Sequence, residues 1–256
     1  MSKSLSQIEQ TPVLLLVGGM GTRLKSVVPN APKPLAKVGD HSFLELLVRQ
    51  VKHHGFRQLV MCTGHLAEQV EREFGDGRRF GLQIEYSKEA SPLGTGGALK
   101  LAQQFLGNRD TCLVMNGDSF IETDFDELIK FHRNHGGVAT IAAVKVANGS
   151  RYGRILIDED GKIRGFQEKT GEPNPAIVNG GVYVFSSAVF DHIPNGACSL
   201  EKDIFPRLIA EGFYARVQNG MFIDIGTPQD YARAQELCDQ LYGAALGNAS
   251  ESLDRM

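Results

Sequence analysis

Short apolar runs alternate with longer amphipathic segments through the first half of the chain, and that alternation suits a mostly parallel sheet flanked by helices better than any other architecture. The runs are Val13 to Val17, Gln58 to Cys62, Leu82 to Tyr86 and Thr111 to Met115. Helices are expected from Ser42 to near Gly55, where Ser42 and Glu45 have capping-box spacing, over Leu66 to Phe74, from near Thr95, and from Asp124 through Phe131. From Val138 the texture turns to strands: Val138 to Val146, Arg154 to Ile157, Lys162 to Glu168 and Ala176 to Phe185, the middle two joined by the hairpin-like DEDG. A helix over Ser199 to Glu211 and another after Thr227-Pro228 complete the pattern. The expectation is one α/β domain over 1–256, a three-layer α/β/α arrangement with its core at about 12–241 and a frayed tail over 243–256.

With 42% hydrophobic and 22% charged residues, the 256-residue chain can bury one sizeable core. Its 27 Lys plus Arg against 30 Asp plus Glu argue against broad nucleic-acid binding, which needs a basic excess. No apolar stretch approaches ~20 uninterrupted residues, so no membrane partner or signal peptide is expected. Cys62, Cys112, Cys198 and Cys238 are far apart and form no CxxC pair, which suits reduced thiols in a cytoplasmic protein. His53-His54 and the His132/His135 pair lack a further ligand at metal-binding spacing. There is no internal repeat, and no hexapeptide repeat of the kind that builds a left-handed β-helix.

Three features carry chemistry. The first strand runs into Gly18-Gly19-Met20-Gly21-Thr22-Arg23-Leu24, where glycines let backbone N–H groups approach a phosphate and Arg23 adds a charged donor. No Gly-Lys-Ser/Thr follows, and Leu24 replaces the third glycine of a dinucleotide fingerprint; by itself such a loop is equally a tight turn. In Pro32-Lys33-Pro34 the prolines restrict the backbone and so aim the ammonium, although a surface lysine reads the same way. Asp118 and Asp224 each end an apolar run, LVMNGD and MFID, so both can reach the carboxyl edge of the sheet. Converging there they would hold a divalent cation; singly, each is as well explained as a cap. In the second half, Tyr152-Gly153, Glu168-Lys169, Asn179-Gly180-Gly181 and Glu201 suit a hydroxyl-rich ligand, with a solvent-facing strand end at Glu168-Lys169 and a bulge at Asn179-Gly180 as alternatives. No GxSxG elbow is present for serine catalysis.

The ordered segments GGMGTRL, PKPL, SPLGTGGA, NGDSF, FQEK, NGGVYVF, SLEKDIFP and FIDIGTP resemble the sugar nucleotidyltransferase family over Val13 to Leu241, and GTRLKSVVPNAPKPLAKV is most similar to its D-glycero-D-manno-heptose 1-phosphate guanylyltransferases. The resemblance implies a glycosyltransferase A-like, Rossmann-like domain that joins a nucleoside triphosphate to a sugar 1-phosphate with Mg2+. By position it implies that Gly18, Gly19, Gly21 and Thr22 wrap the triphosphate while Arg23 and Lys33 neutralise it. Glu89, Gly94 and Thr95 would then read base and ribose, and Asn116 and Gly117 lie at the ribose and sugar junction. Asp118 and Asp224 would bind the metal, Gly153, Glu168, Asn179, Gly180 and Glu201 the sugar hydroxyls, and Lys169 the sugar phosphate. His65 departs from the tyrosine common in relatives. GTP with the heptose phosphate is the expected substrate pair, with mannose 1-phosphate, or thymidylyl or uridylyl transfer to a hexose phosphate, as alternatives. Lack of an added β-helix makes a homodimer the expected assembly. A non-catalytic sugar-nucleotide sensor is the different-class alternative, against which stands the joint presence of Arg23, Lys33, Asp118, Lys169 and Asp224.

Overall fold

The structure, a computed structural model, describes residues 6–19, 24, 32–169 and 171–247. A short helix α1 (Gln7–Gln10) leads into β1 (Val13–Leu16). A single 3-10 turn, Lys33–Leu35, precedes a small hairpin, β2 (Lys37–Val38) and β3 (His41–Ser42), and then α2 (Phe43–His53). There follow β4 (Gln58–Thr63), α3 (Ala67–Phe74), β5 (Gln83–Lys88), α4 (Gly94–Ala102), β6 (Thr111–Asn116), β7 (Ser119–Ile121) and α5 (Phe125–His135). The second half contributes β8 (Ala139–Val146), β9 (Arg154–Ile157), β10 (Ile163–Gln167), β11 (Ala176–Ser186), α6 (Phe205–Leu208), β12 (Phe213–Gln218), β13 (Phe222–Asp224), α7 (Pro228–Glu236) and α8 (Cys238–Ala245).

Among the described residues nine strands form one mixed sheet in the order β10-β9-β11-β6-β1-β4-β5, with β8 also against β11 and β12 against β8. The strands β6, β1, β4 and β5 are mutually parallel, and β11 runs antiparallel to β6. Both faces are covered: Val13, Leu15 and Val17 join one apolar cluster while Leu14 joins the other, as the two-residue strand period requires. This α/β/α arrangement, with the DEDG hairpin joining β9 and β10, agrees with the sequence expectation.

Four local differences have physical causes. Ser42 caps α2 by accepting the Glu45 N–H at 3.2 Å, but the Glu45 carboxylate turns to the Arg49 guanidinium at 2.6 Å, a charged donor that outcompetes the neutral Ser42 N–H, so the expected reciprocal box is half made. The expected helix over 199–211 is a π-helical turn, Leu200–Ile204, followed by the single α turn of α6, because Pro206 has no N–H to continue an i to i−4 ladder. The last helical stretch is two helices parted at Leu237, and the second extends through Ala245, with Ala244 and Ala245 buried, so Gly243–Ala245 belong to the packed domain. The strand β12 is an addition, its run interrupted by Arg216. Among the described residues no helix is long and apolar enough to cross a membrane.

Candidate active site

The carboxyl ends of β1, β4 and β6 open onto a cavity of about 420 Å³. Its lining includes Gly18, Gly19, Lys33, Glu89, Gly94, Thr95, Asn116 and Asp118, so eight positions expected from sequence share one space. Gly117 lies between the last two, its N–H donating to the Leu16 carbonyl at 2.8 Å, and a Cβ there would stand 2.7 Å from that same oxygen. Glycine is thus what lets the chain turn tightly against β1 and deliver Asp118 to the cavity. At the entry to α4, Gly94 has φ of +68°, and a Cβ there would stand 2.6 Å from the Cys198 carbonyl oxygen. The Thr95 hydroxyl oxygen accepts the Leu200 N–H at 2.8 Å, which ties α4 to the segment that carries Glu201.

The two acids meet through a device absent from the motif reading. The β7 and β13 strands pair antiparallel with Ser119 opposite Asp224, and the Ile225 N–H donates to the Asp118 carbonyl at 2.9 Å. Lys33 sits against both: its Nζ is 2.6 Å from Asp118 Oδ2 and 3.9 Å from Asp224 Oδ1, with the lysine side chain only 10% exposed. An ammonium so deep requires a counter-charge, and here it has two. The Asp224 carboxyl is pushed up to about 6, first by burial and then by the Asp118 charge, with Lys33 and the Gly226 N–H, which donates to Oδ1, opposing the rise. Two carboxylates aimed at one positive group are a hard-oxygen donor set suited to magnesium, which takes one or two carboxylates plus substrate phosphates. Among the described residues there is no group of three or more His, Cys, Asp or Glu that could hold a metal ion.

On the far side of Asp118, Asn179 Nδ2 donates to Glu201 Oε1 at 3.3 Å and to the Tyr183 hydroxyl at 2.8 Å, while its Oδ1 takes the Gly181 N–H at 2.9 Å. The Glu201 carboxyl is held above its ordinary range, first by desolvation in the cleft and then by Asp118, with Glu168 adding to the rise. The β11 register against β8 shifts between Asn179 and Val182, so the bulge considered from sequence is real, and Gly180 fits it by lying against the Ala142 carbonyl. Gly153 lies beside the Gln167 carbonyl on the adjoining hairpin. Lys169 is exposed and makes no ion pair among the described residues, so the structure does not bring it to the acids. Gly21, Thr22 and Arg23 lie outside the described residues.

Sequence reasoning missed Tyr183, whose buried hydroxyl contacts both Asn116 and Asn179 and so joins the two halves of the cleft. It also missed Gly226 and Cys62. The Cys62 thiol lines the cavity and is pushed up to about 12 by burial and the Glu89 charge, which leaves it a neutral wall group rather than a nucleophile. Of the histidines considered as ligands, His132 bonds the Thr140 hydroxyl at 3.0 Å and is held down to about 4 by burial.

A family model described as nucleotidyl transferase matches residues 12–240, and the chain belongs to that family. It is similar to the mannose-1-phosphate guanylyltransferase of Mycobacterium tuberculosis, 38% identical over 228 residues that cover 88% of this chain and 63% of that protein. It is also similar to the UTP–glucose-1-phosphate uridylyltransferase of Synechocystis, 37% identical over 86% of this chain and 61% of that protein. The chain therefore spans somewhat over three fifths of these curated relatives. Among solved structures, HddC from Yersinia pseudotuberculosis complexed with GMP-PN superposes with a TM-score of 0.80 at 31% identity, covering 88% of this chain and 98% of that one.

Proposed function

We propose that this chain transfers a nucleoside monophosphate from a nucleoside triphosphate to a sugar 1-phosphate. The observation that carries the reading is the nearly buried Lys33 ammonium facing Asp118 and Asp224 at the floor of a glycine-lined cavity. An oxygen of the sugar phosphate forms the new bond to the α-phosphorus, the bond from that phosphorus to the bridging oxygen breaks, and pyrophosphate leaves. Both reactants are anions, so the chain's task is to neutralise and align them, which Lys33, Arg23 and the backbone N–H groups at Gly18 and Gly19 are suited to do. Asp118 and Asp224 would hold magnesium, which when bound supplies positive charge to the phosphate oxygens. Pyrophosphate release across four nucleoside triphosphates and several sugar 1-phosphates tests the reading, and no release with any pair would end it. Arg23→Ala is expected to lower turnover by about 10²-fold in the same assay, the scale for loss of one charged transition-state donor.

For the base, Glu89 favours guanine. Its Oε2 takes the Leu93 N–H at 3.0 Å, while Oε1 points toward Gly18 and Gly64 at the cavity wall. A carboxylate only accepts, and guanine alone presents two adjacent donors, N1–H and N2–H, on one edge; uracil and thymine present a single N–H between carbonyls that would be repelled. The similarity to the HddC complex with GMP-PN supports the same choice. Glu89→Gln keeps an acceptor for Leu93 and is expected to lower kcat/KM for GTP about 10- to 100-fold while raising that for UTP relative to it. An unchanged GTP to UTP ratio would remove Glu89 from base selection. For the sugar, the resemblance of the Gly21–Val38 segment favours the heptose phosphate, whereas the named curated relatives favour mannose or glucose 1-phosphate. The substrate matrix separates them.

A further inference from the structure

The segment between β8 and β9, residues 147–153, ends at Gly153 just before Arg154, which pairs with Val178 next to Asn179 in the half of the cleft we assign to the sugar, and it is fastened to the stretch 222–230 that includes Asp224. Arg151 Nη1 and Nη2 donate to Asp230 Oδ2 and Oδ1, both at 2.7 Å, a two-armed pair whose carboxylate side chain is 11% exposed. Asp230 is itself fixed at the start of α7, where its Oδ2 accepts the Thr227 hydroxyl at 2.6 Å and its N–H donates to Thr227 Oγ1 at 3.2 Å. The next residue continues the link: the Tyr152 ring meets Phe222 edge-on at 5.9 Å, and Phe222 stands two residues before Asp224 on β13. Arg151 lies over the Tyr152 ring at 5.5 Å, which joins the two contacts into one patch. A further tie on the segment is the Gly149 N–H to the Asn174 carbonyl at 2.9 Å, which reaches the stretch just before β11, the strand that carries Asn179.

We propose that Arg151 is a positioning residue whose pairing with Asp230 sets the distance between the sugar half of the cleft and the acidic pair. The proposal rests on the transferase reading for its kinetic consequence and on geometry alone for the latch. Its chemistry explains why an arginine is used: a planar fork held by both carboxylate oxygens fixes direction as well as distance, whereas a lysine at the same place fixes neither. The predicted consequence is selective. Losing the fork leaves the nucleotide side, built on β1, β4, β6 and α4, where it is, and loosens the opposite wall.

Hydrogen–deuterium exchange on the ligand-free full chain reads the latch, and steady-state kinetics read its purpose. In Arg151→Gln the amides of residues 149–153 are expected to exchange about tenfold faster while those of β1 and α5 do not change. The KM for the sugar 1-phosphate is expected to rise about tenfold with the KM for the nucleotide within about twofold, since misplacing one reactant affects that reactant first. Arg151→Lys should fall between, and Asp230→Asn added to Arg151→Gln should add little, as for partners in one interaction. Unchanged exchange at 149–153 overturns the latch. Faster exchange with equal rises in both KM values, or with none, overturns the positioning role and leaves a structural tie. Should Arg151→Gln fail to fold, Arg151→Lys carries the same comparison. A wild-type chain without turnover sinks the reaction of the preceding subsection, and exchange then decides the latch by itself.

Discussion

Asp118→Asn is expected to lower turnover by about 10³-fold, the scale for removing a charged group that organises a phosphoryl-transfer site. Asparagine preserves the shape of the side chain, and the Asp118 main-chain carbonyl still receives the Ile225 N–H, so β13 stays registered on β7. What disappears is one of the two negative charges facing Lys33. The ammonium loses its 2.6 Å partner and keeps only Asp224 at 3.9 Å, although it is 10% exposed and cannot turn to water. Stability should therefore fall by about 1–2 kcal/mol, typical of a lost charged hydrogen bond. The Asp118 charge also helps push the Asp224 carboxyl upward, so the variant's Asp224 titrates below about 6. A magnesium titration of pyrophosphate release should show a higher metal requirement together with the lower rate. Wild-type turnover in this variant would remove Asp118 from the metal pair.

The architecture was legible because short apolar runs alternate with amphipathic segments along the first half of the chain, and two of those runs, Val13 to Val17 and Thr111 to Met115, lead into the glycine-bearing stretches at Gly18 and at Asn116-Gly117-Asp118. Val13 to Val17 predicts its strand, and the Asn116-Gly117-Asp118 ending predicts the sheet edge where Asp118 stands. What brings Asp224 there was not legible, because the β7 and β13 strands have three residues each, too few to show a period. The prolines around Lys33 announce a constrained backbone, and the structure gives that constraint a form, a single turn closed by the Ala36 N–H on the Lys33 carbonyl at 3.0 Å. They do not announce that both acids would be its partners. Tyr183 escaped notice for a different reason: in NGGVYVF it reads as one more apolar strand residue, and only the bulge before it turns its hydroxyl toward Asn179. Pro206 was visible, and its effect on the helix expected over 199–211 follows from its missing N–H. The roles of Gly21, Thr22 and Arg23 rest on sequence alone.

Asp224→Asn is expected to lose turnover as severely as the Asp118 variant, about 10³-fold, while changing stability in the opposite direction. The sign follows from its titration. A carboxyl raised to about 6 from an ordinary value of 3.8 binds its proton more tightly in the folded chain than in the unfolded one. The resulting stabilisation is complete below the unfolded value and disappears as pH rises through about 6, so at neutral pH the ionised Asp224 works against the fold. Asparagine carries no charge to bury or to set against Asp118, yet its Oδ1 still accepts the Gly226 N–H. With the side chain 34% exposed, solvent reduces the gain to about 1 kcal/mol, or a Tm higher by about 2–4 °C for a chain of this size. Near pH 4 the wild-type group is protonated and the two proteins should melt together. Thermal unfolding at pH 4 and pH 7.5, run beside pyrophosphate release, separates the outcomes. A variant less stable than wild type at pH 7.5 would show that Asp224 is held by attraction to Lys33 more than it is opposed by burial and Asp118, reversing the electrostatic account of the site.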